Sequence, residues 1–119
     1  MNVDAYADRL ARVKQRFVSS LSGKIEDAGA TIARLPDSAP GAAASVSEVY
    51  CSLHGIAGIA PTVGFPDTGH TARDAENVVR AAYREQRGLS AEEVSLFTDA
   101  LGALRGAASR ELQSIQDKS

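Results

Sequence analysis

Apolar side chains recur along this chain at steps of three and four, in four separate blocks. The first runs Tyr6, Leu10, Val13, Phe17, Leu21, Ile25, Ala28, Ile32, and the second Val46, Val49, Leu53, Ile56, Ala60, Val63. The third, Phe65, Thr68, Ala72, Ala75, Val79, Ala82, uses smaller side chains but keeps the step. The fourth is Val94, Phe97, Leu101, Leu104, Ala108, Leu112, Ile115. Such spacing lays one apolar stripe along a helix and leaves the charges on its other faces. No stretch alternates apolar and polar residues as a half-buried strand does, so the spacing predicts an all-α chain.

The residues between the blocks agree with helix ends. "LPDSAPG" (residues 35–41) separates the first helix from the second with two prolines and a glycine. "GFPD" (residues 64–67) is a very short turn, and Pro66 suits a first helical turn. In "RGLSAEE" (residues 87–93), Gly88 reads as a stop and Ser90 as an N-cap, with Glu93 completing a capping box. Pro61 removes a backbone donor late in the second block, which predicts a kink or an early end near Ala60. Short connections make neighbouring helices antiparallel, so the expected architecture is an up-down antiparallel four-helix bundle. Ser22 and Gly23 are the place where the long first helix would divide into a short piece and a main one.

Length and composition narrow the picture. At 119 residues, with 44% hydrophobic and 24% charged residues, residues 1–119 read as one globular domain. No apolar run is long enough for a transmembrane helix, and the charged N-terminus lacks a signal-peptide core, so the expected location is the cytoplasm. A net charge of −2, with Lys and Arg scattered, argues against nucleic-acid binding. Cys51 is the only cysteine, which excludes an intrachain disulfide and a cysteine-rich zinc site. With no Trp, three Phe and three Tyr, the core must be built from aliphatic side chains and alanine. That composition suits closely packed helices.

One of the two histidines stands in "HGIAGIAPTVGFP", residues 54–66. On the second helix it lies beside the apolar stripe, about 100° round from Leu53. Its neighbours one turn away are Tyr50 and Cys51 on one side, Ala57 and Gly58 on the other. A helical glycine costs roughly 0.5–1 kcal/mol relative to alanine, and Gly55 and Gly58 stand within one turn of each other. Either the glycines admit a closely packed helix, or they leave the imidazole open to approach from outside.

The segment reads as H-x-[IL]-x-G-x-A-x-x-x-G-F-P through His54, Ile56, Gly58, Ala60, Gly64, Phe65 and Pro66. Ala72 and Glu76 continue it as A-x-x-x-E in the next helix. This pattern resembles the signature of histidine phosphotransfer (HPt) domains, four-helix carriers that pass phosphoryl groups between kinases and receiver domains. The resemblance implies that His54 is the candidate catalytic residue, a phosphoacceptor through a ring nitrogen, Nε2. Gly58 would give access, with Ala57, Tyr50, Gly64 and Phe65 shaping the site, and Tyr50, Ala57 and Pro61 contributing to a docking face. Partners implied are a response-regulator receiver domain, a hybrid histidine kinase, or both. The Mg²⁺ would sit on the receiver, with no cofactor on this chain. Phosphoryl transfer has a loose transition state, so positioning and charge neutralisation are the main requirements. Many HPt domains carry lysine three residues after the histidine; here that place is Ala57, and Arg73 and Arg80 are the candidate substitutes.

Other chemistry is thinly represented. Cys51, His54 and His70 share no fourth ligand, and antiparallel packing sets the two histidines at different levels, so no metal site is expected. His70 reads as a solvated surface residue. No nucleophile–base–carboxylate set and no phosphate-cradling glycine loop is present, so an autonomous enzyme is not expected. The alternative reading is a helical interaction module that binds a receiver or kinase without taking phosphate. Four helices from one chain suffice for the bundle, so the expected state is a monomer without membrane contact.

Overall fold

Four helices follow one another in the computed structural model, which describes residues 3–35 and 39–117. They are α1 (Val3–Ala33), α2 (Ala39–Ile59), α3 (Pro66–Glu85) and α4 (Ala91–Asp117), with a 3₁₀ turn (Ala60–Val63) closing α2. Across α2 and α3, Tyr50 meets Tyr83, His54 meets Glu76, and Pro61 lies against Gly69. Rising numbers on one helix meet falling numbers on the other, so the pair is antiparallel. The same holds for α1 and α4, where Glu26 pairs with Arg105 and Gly29 touches Leu101. Each helix packs on its two neighbours in the ring, most extensively α2 on α3 and α3 on α4. The fold is the all-α four-helix bundle that the periodicity predicts.

The second, third and fourth stripes form most of the core. Val46, Leu53, Ala60, Phe65, Ala72, Ala75, Val79, Ala82 and Leu104 are fully buried. The alanines of α3 let both of its neighbours approach closely. Phe17 of α1 meets Phe65 edge-on, with ring centroids 5.3 Å apart, which locks α1 against the turn after α2. Truncating a side chain such as Leu53 to alanine leaves a cavity and costs about 2–5 kcal/mol.

The first stripe departs from expectation at its start. Tyr6, Leu10 and Val13 are 59%, 37% and 41% exposed. Because Phe17 already sits at the α2–α3 turn, the residues before it run past the end of both helices. Periodicity reports an apolar face but not the length of the partners that cover it. Nor does α1 divide at Ser22 or Gly23; it is one helix of 31 residues. Leu21 and Ile25 anchor it in the core on either side of the glycine, and that packing outweighs a propensity cost of about 1 kcal/mol.

The connections explain how α3 is held. As expected from Pro61, α2 ends early, giving way at Ala60 to the 3₁₀ turn, which stops at Gly64, whose φ of 92° only glycine adopts without strain. A Cβ on Gly69 would lie 2.9 Å from the Pro61 ring, so the turn presses directly on α3. No side chain of its own caps the start of α3. Glu111 of α4 does this instead, accepting from the Thr68 N–H and Oγ1–H at 2.6 Å each and from the Asp67 N–H at 3.2 Å.

At its other end α3 closes through Gln86 in the left-handed region, φ 54°, rather than through the expected Gly88. Gly88 is needed for a different reason: a Cβ there would lie 2.9 Å from that of Ala42. The expected capping box is present, with Ser90 N–H donating to Glu93 Oε1 at 2.9 Å and Glu93 N–H to Ser90 Oγ at 3.1 Å. Arg87 adds two bonds to the Glu93 carboxylate, at 2.6 and 3.1 Å, which hold that carboxyl down at about 2.

Candidate functional site

His54 stands on α2 with its side chain 65% exposed, while its partner Glu76 on α3 is 1% exposed. Leu53 and Ile56 point into the core and fix the rotation of α2, which leaves His54 at the edge facing α3. Glu76 belongs to the buried face of α3, between Ala72 and Val79. Its Oε1 lies 2.8 Å from His54 Nδ1. A carboxylate oxygen can only accept, so Nδ1 carries the proton. In the neutral ring Nε2 then keeps its lone pair. An exposed imidazole is thus held in one tautomer by a carboxylate beneath it.

A cation and two aromatic rings complete the surroundings. Arg80, one turn along α3, brings Nη2 to 3.9 Å from the same Glu76 oxygen. Glu76 Oε2 and Arg80 Nε are buried with no hydrogen-bond partner among the described residues. The Tyr50 ring lies parallel to the imidazole, with centroids 6.1 Å apart and planes 13° apart. Tyr83 of α3 stacks on the Tyr50 ring at 4.0 Å.

The other sequence candidates divide. Gly58 is exposed, and a Cβ on it or on Gly55 would meet nothing within 4 Å. Close helix packing is therefore not the reason for either glycine. Gly64 and Phe65 act at a distance, the first by turning the chain and the second by anchoring it, fully buried. Ala57 is 2% exposed and faces the core, so it contributes nothing to a docking face. Position 57 follows Leu53 by four residues and shares its inward direction. Arg73 is exposed, and no hydrogen bond or ion pair among the described residues joins it to His54 or Glu76.

Glu76 entered the sequence reading only as part of a spacing pattern. The signal for its role was its place, an acid beside Ala72, Ala75 and Val79 of the third apolar stripe. His70 is 78% exposed and lies 3.7 Å from Asp74, one turn along the same helix. Cys51 is exposed. Among the described residues, no three His, Cys, Asp or Glu side chains gather as a metal-ligand group, and no helix is long and apolar enough to cross a membrane. Comparison with protein-family models, with curated proteins and with solved structures yields no match to this chain.

Proposed function

We propose that the protein is a histidine phosphotransfer carrier, with His54 as the residue that takes and gives up the phosphoryl group. One observation carries the reading: the exposed His54 ring is tethered through Nδ1 to the buried Glu76, 2.8 Å away. The Nε2 lone pair attacks the phosphorus of an aspartyl phosphate on a receiver domain. The bond from phosphorus to the aspartate oxygen breaks, and the aspartate leaves as a free carboxylate. No proton needs to move during the step. The ring becomes cationic as the N–P bond forms, and the Glu76 carboxylate lies where that charge develops. The reverse step returns the group to another receiver.

The receiver supplies Mg²⁺ and the acidic pocket, in keeping with the HPt-like motif from His54 to Glu76. Arg80 is the better placed of the two candidate cations, because it already approaches the Glu76 oxygen that His54 uses. The open space beside Gly55 and Gly58 suits the close approach of a partner. A bundle that binds a receiver without taking phosphate is the second reading, favoured by the inward-facing Ala57 where many HPt domains present lysine.

Phosphoramidate, which phosphorylates accessible imidazoles without a partner protein, separates the two. Intact mass and ³¹P NMR are recorded for the wild type, His54→Gln and His70→Gln. A single acid-labile phosphate absent only from His54→Gln supports the carrier. A folded protein that takes no phosphate, or takes it only on His70, overturns it in favour of the interaction module.

A further inference from the structure

We propose that Tyr50 is a positioning residue for the His54 imidazole, acting as a flat wall that Tyr83 holds in place. This rests on the reading of His54 as the phosphoryl acceptor. The hydrogen bond to Glu76 fixes which nitrogen is protonated, but one bond leaves the ring free to pivot about the Nδ1···Oε1 line. Tyr50 removes that freedom. Its ring lies one helical turn before His54 with the planes 13° apart, an offset parallel arrangement at 6.1 Å. A tyrosine edge alone would be a soft wall, since its own side chain can turn.

Tyr83 settles it, two turns after Glu76 on the same face of α3: it stacks on Tyr50 with centroids 4.0 Å apart and planes 9° apart. Both tyrosines are half-buried. The imidazole is therefore held on two independent sides, by Glu76 below and by the Tyr50 face beside it. Nε2 is left at one position and in one orientation for the incoming phosphorus. The same wall favours the product. A ring that turns cationic on phosphorylation is attracted to an aromatic face at about 6 Å, whereas the neutral ring gains less.

The experiment uses the full chain, ¹⁵N-labelled at histidine, with Tyr50→Phe and Tyr50→Leu beside the wild type. In the unphosphorylated proteins, ring ¹⁵N shifts report the tautomer, and ring-current shifts of the His54 carbon-bound protons report the wall. His70, remote from both tyrosines in sequence, serves as the internal control for folding. Phosphoramidate loading is then followed by ³¹P NMR, which separates Nε2- from Nδ1-phosphohistidine.

Tyr50→Phe should match the wild type in every readout. Tyr50→Leu should lose the ring-current shift and load about two- to tenfold more slowly, with the Nε2 product kept by Glu76. Tyr83→Leu, which leaves Tyr50 in place but unclamped, should fall between the two. Wild-type shifts and rate in Tyr50→Leu overturn the proposal. If no form takes phosphate yet Tyr50→Leu loses the ring order, the carrier reading fails and the positioning of the ring by Tyr50 stands.

Discussion

Replacing Glu76 should separate the chemistry of this site from its stability. The carboxylate is buried, makes a 2.8 Å bond to His54 and has a second oxygen with no partner among the described residues. A hydrogen bond to a charged group contributes about 1.5–3 kcal/mol, against about 0.5–1.5 kcal/mol for a neutral pair. Glu76→Gln keeps an acceptor but loses the charge, a difference of about 1–1.5 kcal/mol, or roughly five- to tenfold in the rate of phosphoryl loading. Glu76→Ala removes the bond altogether and should slow loading by roughly ten- to a hundredfold. Stability should not follow the same order. Burying a carboxylate carries a desolvation penalty that its partners only partly repay, so Glu76→Gln should melt within about 1 kcal/mol of the wild type. Loading is measured by intact mass against time in phosphoramidate, and stability by urea unfolding followed by circular dichroism. A Glu76→Gln protein that loads at the wild-type rate, with its Nε2 product unchanged, would refute the role assigned to the carboxylate.

Three further outcomes follow from the geometry. Glu111→Ala takes the cap from the start of α3 and leaves the buried Thr68 N–H and hydroxyl without their acceptor. The loss should be about 2–3 kcal/mol by urea unfolding, and a change under about 0.5 kcal/mol would show that the cap is redundant. Gly58→Ala meets nothing on its own chain, so the fold should gain about 0.5–1 kcal/mol. Loading by the small donor phosphoramidate should be unaffected in that variant while transfer from a phosphorylated receiver slows; equal slowing of both would place the fault at His54 itself. Arg87 and the Ser90 backbone hold Glu93 at about 2, below its ordinary value of 4.5, so its contribution is complete above pH 4.5 and is lost as pH falls toward 2. After solvent screening this amounts to about 1 kcal/mol, and Glu93→Gln should remove that part of the difference between urea midpoints at pH 6 and pH 2.5.

Much of the bundle was legible because its inner helices are covered along their whole length. Every residue named in the second and third stripes is buried, and the Ser90–Glu93 capping box was readable because its parts are local. What depends on a distant element was not readable. The cap on α3 comes from Glu111, far along the chain, and nothing near Thr68 announces it. Tyr6, Leu10 and Val13 follow the same periodicity as Leu21 and Ile25, yet only the latter meet a neighbour.

At the site, the isolated histidine among glycines drew notice, but its partner did not. A lone acid on an apolar stripe can equally turn outward, and only the facing of α2 and α3 decides. The motif sets Ala57 next to His54, but its step of four from Leu53 turns it inward. The stop at Gln86 went unseen because glycine is the usual left-handed residue, and Gly88 stood nearby to take the role.

The overhang at the start of α1 has its own consequence for how this molecule breathes. Residues 5–16 are exposed throughout except for the half-buried Lys14, so their helical hydrogen bonds are shielded mainly by their own side chains. A helix of that length is marginal in water when nothing packs on it. Opening it exposes little new apolar surface and needs no disruption of the bundle. Amide protons there should exchange with solvent orders of magnitude faster than those around Leu21 and Ile25. One continuous rod therefore contains two thermodynamic units, joined near Phe17: an inner one as durable as the whole fold, and an outer one that winds and unwinds on its own.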